Sequence, residues 1–191
     1  MSDVLQRLRD DHAIVSRLLA MLERQTTALE QGERPDWDII EGVVEYLLSY
    51  PDLRHHPLEN KMLGVLRLKD PSAAEPFSEL ESEHREQSET LRRIAAATRL
   101  VLQDVSMARP AYIDLLRSFV AAQRNHARRE EASFFPATER IFDAGDWSDI
   151  NRQMSGIVDP LSANQTEQRF AALRAALCSW DIADRSPRAM D

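Results

Sequence analysis

Four of the five histidines in this 191-residue chain fall into a doubled pattern with two glutamates. His12 stands 43 residues before His55, and His84 stands 42 before His126. Each second histidine is followed four residues later by a glutamate, Glu59 after His55 and Glu130 after His126. On an α-helix a step of four turns the chain by about 400° and advances it about 6 Å, so both side chains leave one face and can meet one target. The stripes that carry these six residues otherwise hold Leu, Val, Ile and Phe, so four imidazoles and two carboxylates are expected to project into an apolar interior. Burying a carboxylate costs on the order of several kcal/mol unless it is paired. The stripes offer no lysine or arginine as counter-ion. A divalent cation would supply that charge. Imidazole with carboxylate suits iron, zinc, copper or manganese, whereas calcium and magnesium prefer oxygen alone. Two carboxylates that each bind through both oxygens permit two cations, each with two histidines and an open coordination position.

Long helices must position these groups. Only five glycines, with runs rich in Leu, Ala, Glu, Arg and Gln, leave little material for β-turns, and the expected class is all-α. A first helix starts after Ser2 or Asp3 and runs to about Glu30, with Leu5, Leu8, His12, Val15, Leu19 and Leu22 as its buried stripe. Ile40, Val43, Leu47 and Tyr50 form a second stripe. Pro51 predicts a kink or restart, with helix resuming through His55, Glu59, Met62 and Leu66, and Pro57 makes this segment irregular too. A third helix is expected from near Ser72 or Pro76 to about Gln103, facing Leu80, His84, Gln87, Leu91 and Ile94 inward. The fourth carries Leu116, Phe119, Gln123, His126 and Glu130 and ends between Pro136 and Gly145. The expected architecture is an up-down-up-down four-helix bundle over residues 1–145. A helical extension over 146–183, with segments from Trp147 to Gly156 and from Pro160 to Trp180, packs on it, and 184–191 form a flexible tail.

Charge and cysteine content narrow the function. Twenty-four basic residues against 32 acidic ones leave a formal charge of -8, which speaks against nucleic acid or an anionic membrane surface as partner. The single Cys178 excludes an internal disulfide and a thiolate-rich metal site, and it is expected to lie inert on a helix face. Met1 to Arg9 alternates charge with leucine and does not read as a signal peptide. No run of about 18 apolar residues occurs, so the expectation is a cytoplasmic protein, with a homodimer as an option.

The stretches Asp11-His12, Tyr50 through Glu59 (with Pro51, Asp52, Leu53, Arg54, His55, His56, Pro57 and Leu58), Glu83-His84, and His126 through Glu130, Glu131, Phe134, Phe135 and Pro136 resemble the hemerythrin-like, HHE cation-binding family over residues 5–140. The resemblance implies a four-helix bundle around two iron ions bridged by carboxylates, with His12, His55, His84 and His126 as terminal ligands and Glu59 and Glu130 as bridges; zinc or manganese could take the same positions. It also implies a small diatomic molecule or peroxide as the ligand of the centre. Oxygen-carrying hemerythrins have a further histidine where this chain has Ser88, and they end in His and Asp five apart, whereas His126 and Glu130 are four apart. The set of four histidines and two glutamates is more similar to iron-cluster repair proteins and to iron- and oxygen-sensing hemerythrin-like domains, although the cysteine-containing segment of the repair proteins has no counterpart. The functions implied are sensing, storing or handling iron, oxygen or nitric oxide. A di-iron ferroxidase or peroxidase, an iron-cluster repair protein, and a bundle held together by structural zinc are the alternatives.

Around the six, His56 lies one residue off its stripe and is expected either to reach the site or to cap a helix or face solvent. Glu131, about 100° around the helix from Glu130, is expected at solvent or at the edge of the site. Gln87, Ser88, Gln123, Tyr46 and Tyr50 are candidates for orienting ligands, with ordinary polar packing as the plainer expectation.

Overall fold

The structure is a computed structural model that describes residues 2–103, 109–154, 170, 173 and 175–177. All regular structure among these residues is helical. Helix α1 spans Asp3–Glu30, with Ser2 accepting the Val4 amide at its start, and it ends where Gly32 takes a positive φ of 78°, a conformation open to glycine at no steric cost. Helix α2 (Trp37–Tyr50) is capped by Asp36, whose carboxylate accepts the Ile39 amide at 3.2 Å. A π-helical turn, Pro51–His55, joins it to α3 (His56–Lys69). Asp70 caps the short α4 (Pro71–Ala74), and a 3-10 turn at Glu75–Phe77 leads into α5 (Leu80–Leu102). Helix α6 (Arg109–Arg129) passes through a second π-helical turn, Glu130–Phe134, into α7 (Phe135–Ile141), and α8 (Ala144–Met154) follows.

The helix does not restart at Pro51. Tyr50, Pro51, His55 and His56 all keep right-handed helical dihedrals, so α2 and α3 form one continuous rod. The irregularity instead takes the form of an i to i+5 turn, closed by the His56 amide on the Pro51 carbonyl. Proline crowds the carbonyl four residues before it and gives no amide hydrogen, and widening the turn ahead of Pro57 relieves that clash. The same device precedes Pro136, where the Phe135 amide reaches the Glu130 carbonyl. The widened turn also keeps the buried face in phase. Buried residues flank both turns, Tyr50, Pro51 and His55 at the first and Glu130, Phe134 and Phe135 at the second.

Helix α1 packs on α2 and α6, and α5 packs on the same two, so four rods close a ring. A bidentate ion pair ties α6 to α1, Arg124 meeting Glu23 at 2.6 and 2.7 Å, and Lys69 at the end of α3 reaches both Asp143 and Asp146. Inside the ring the apolar residues form two separate clusters. One holds Leu18, Leu22, Ile40, Leu47, Leu91, Ile94, Leu116 and Phe119. The other holds Leu5, Leu8, Met62, Leu66, Leu80, Phe134, Phe135 and Ile150. Along every rod the predicted ligands lie between residues of the first cluster and residues of the second.

Helix α8 begins earlier than Trp147, because the Asp143 carboxylate accepts the Gly145 and Asp146 amides. Trp147 packs on Phe142 with ring centroids 5.0 Å apart. Most of the expected helix from Pro160 to Trp180, together with Cys178 and the tail, lies outside the described residues; within it Phe170, Leu173 and Leu177 are buried in the first cluster, Phe170 edge-on to Tyr46.

Candidate metal centre

The layer between the two clusters brings all six predicted groups together. His12 comes from α1, His55 from the first π-turn, Glu59 from α3, His84 from α5, His126 from α6 and Glu130 from the start of the second π-turn, and each is at least nine-tenths buried. Their ligand atoms sort into two overlapping sets, His12, His55, Glu59 and Glu130, and Glu59, His84, His126 and Glu130, with the atoms of each set within 4.8 Å of one another. The two glutamates belong to both.

Which nitrogen of each ring faces inward follows from its outer partner. His12 Nδ1 lies 2.9 Å from Glu131 Oε1, His55 Nδ1 3.1 Å from Asp11 Oδ2, His84 Nδ1 2.8 Å from Asn60 Oδ1, and His126 Nδ1 2.9 Å from Glu83 Oε2. Each partner oxygen can only accept, so every Nδ1 carries the hydrogen and every Nε2 turns a lone pair inward when the ring is neutral. The Nε2 atoms of His12 and His55 stand 3.1 Å apart, as do those of His84 and His126. Glu59 and Glu130 approach these nitrogens at 3.2 to 3.9 Å. All four of their oxygens are buried without a hydrogen bond. Lone pairs facing lone pairs in a dry interior repel unless positive charge sits among them. The donor set therefore fits cations in a mixed nitrogen and oxygen environment.

The groups' own proton affinities express the same demand. Burial works against charge on His126, but Glu130, Glu59 and Glu83 outweigh it and raise its pKa to about 9. Burial likewise opposes charge on His55, yet Glu59 and Asp11 hold it well above the usual imidazole value. Glu130 stays well below the ordinary carboxyl value, because His12, His126 and His84 overcome the burial that would push it up. Glu59 is lowered too, His55 and His84 prevailing over burial and over repulsion from Glu130. A metal ion entering here competes with protons for the imidazoles.

The partners repeat with the ligands. Asp11 and Glu83 each precede the first histidine of their half and each serve the second histidine of that half. Asn60 and Glu131 each follow the inward glutamate of their half, and they serve the first histidine of the other half. Spacing alone missed Asp11, Glu83 and Asn60 as orienting groups, although their equivalent places in the two halves were a visible signal. Glu131 lies at the edge of the site, half exposed and bound to His12. His56 does not face solvent: its amide closes the first π-turn, its side chain is buried, and its ring stacks on that of His84 with centroids 4.2 Å apart and planes 12° from parallel. Tyr50 donates to Asp11 at 3.3 Å, Tyr46 packs on Tyr50 and Phe170, and Ser88 and Gln123 are buried. Gln87 is buried with its Oε1 unbonded. Phe135 stacks on His12 at 5.5 Å.

Two clefts reach the layer along α5. One, of about 340 Å³, is lined by Glu83, Gln87, Phe119 and His126, and the other, of about 440 Å³, by His56, Asn60, His84 and Ser88. No described helix is long and apolar enough to cross a membrane. The family model for the hemerythrin HHE cation binding domain matches residues 3–138. No curated protein and no solved structure matches the chain.

Proposed function

The chain belongs to the hemerythrin HHE cation-binding family, a metal-ion-binding family, and on that premise we propose that it holds two iron ions bridged by Glu59 and Glu130 and uses them to sense, store or handle iron, oxygen or nitric oxide. The observation that carries this reading is the convergence of four inward-facing Nε2 atoms on four carboxylate oxygens that have no hydrogen bond. His12 and His55 hold one position and His84 and His126 the other, while each glutamate offers one oxygen to each. The ligand types suit iron, and also zinc or manganese. The reading takes the four rods as running alternately up and down, and the protein as cytoplasmic.

Bound there, iron supplies redox chemistry toward a small diatomic molecule or peroxide. The chain's own residues do the rest. Asp11, Asn60, Glu83 and Glu131 fix ring orientation through Nδ1. Glu59 and Glu130 neutralise charge, and the apolar clusters above and below keep bulk water out. The two clefts reach His84 and His126.

Metal analysis of protein purified without a nickel resin, with absorption spectra before and after exposure to air, tests the reading. The expected result is two irons per chain and a near-ultraviolet or visible band that changes in air. Zinc in both positions, with no visible absorption under either condition, would replace it with a structural role.

A further inference from the structure

The two cation positions have the same inner ligands, two imidazoles and the shared pair of carboxylates, so any difference between them must come from what stands behind the rings. Behind His12 and His55 stand two carboxylates, Glu131 and Asp11. Behind His84 stands the neutral amide oxygen of Asn60, and behind His126 stands Glu83, whose charge is already engaged by Arg129. Asn60 and Glu131 are equivalent positions of the two halves, which makes the contrast a built-in substitution of amide for carboxylate.

An imidazole that donates Nδ1–H to a carboxylate is a stronger σ-donor through Nε2 than one that donates to an amide, and changing such a partner typically alters metal affinity by about 10–100-fold. Clefts beside α5 reach His84 and His126. Asn60 itself lines the larger one. We infer that the positions are unequal by construction: the His12–His55 position is a tight, resident cation site, the His84–His126 position is a weaker, exchangeable one, and Asn60 is the positioning residue that sets the difference. A cation enters and leaves on the His84 side without disturbing the other.

This inference rests on the two-cation reading above, and one titration separates the two. The full chain, stripped by chelation, is titrated anaerobically with cobalt(II) and followed by its visible absorption. Two steps are expected, at least about tenfold apart in affinity. His84→Ala keeps the tight step and loses the weak one, and His12→Ala does the reverse. Asn60→Asp, by giving His84 a carboxylate partner, tightens the weak step about tenfold or more and draws the two together. Glu131→Gln weakens the tight step by a similar factor, and its near-identical shape keeps the test independent of whether Asn60→Asp folds. A single step of two cations in the unaltered chain, or an Asn60→Asp protein whose weak step does not move, overturns the inference while leaving the binuclear reading standing. Folded protein that takes up no cobalt overturns the binuclear reading itself.

Discussion

His126 ties the chemistry of the site to solution conditions. Its pKa of about 9 in the folded chain lies above the ordinary 6.5, so in protein stripped of metal its pairing with Glu130 contributes fully below about pH 6.5 and is lost as pH rises through about 9. Glu59 and Glu130 are shifted the other way, and their contribution is present above about pH 4.5 and lost on acidification. Stripped protein is therefore expected to melt highest between about pH 4.5 and 6.5 and to weaken toward pH 9, whereas the metal-loaded form, whose Nε2 atoms carry no proton, keeps its melting temperature over that alkaline range. Thermal melts from pH 4 to 10 check this, and a flat alkaline limb in the stripped protein contradicts it. His126→Ala removes a proposed ligand nitrogen and is expected to lose one of the two proposed cations by metal analysis. His56→Ala removes a ring stacked on His84, an interaction of about 0.5–1.5 kcal/mol, and is expected to keep both. Equal metal content in the two variants defeats that ranking. The six inward groups were legible because apolar packing alone does not produce a doubled pattern of imidazole and carboxylate at matching spacing. His56 was not: its place one residue off the stripe says nothing of the widened turn just before it, which changes where position 56 points.

The rods show what periodicity reveals and what it hides. Steps of three and four mark the buried faces of α1, α5 and α6 residue by residue, because burial of one face is the main constraint on an amphipathic helix. Between Tyr50 and His55 the proline at position 51 argues locally for a kink or restart. The structure keeps one rod: a widened turn over Pro51–His55, just ahead of Pro57, leaves both the predicted ligands and the apolar residues beyond them facing inward. Ends of rods follow capping chemistry. Asp36→Ala removes the acceptor for the Ile39 amide and is expected to cost about 1 kcal/mol, or roughly 2–4 °C in melting temperature, with metal content unchanged. A loss of metal would show that the start of α2 positions His55 more directly than its distance along the rod implies.

Across the whole molecule the polar layer divides the interior into two apolar clusters that would otherwise merge. Such a layer costs stability when no cation occupies it, since replacing buried charge by apolar groups of similar size is often stabilising by about 1–4 kcal/mol. Glu59→Met with Glu130→Met is accordingly expected to melt above stripped unaltered protein, by roughly 2–4 °C for each kcal/mol gained, and to take up no metal. A double variant that melts lower would mean the glutamates support the fold on their own. The ring of rods was foreseeable from stripe lengths and short connections. The crossing of Asn60 to His84 and of Glu131 to His12 was not, because sequence spacing reports faces within a rod and not partners across the ring. That crossing has a consequence of its own. A polypeptide ending before α5 would own two of the four inward imidazoles and one of the two inward carboxylates, yet nothing to steady the leading ring; paired with its counterpart, each fragment would complete the other. The molecule is thus an embrace of two incomplete cages, and cutting it between them should yield pieces that recover the centre only by finding one another.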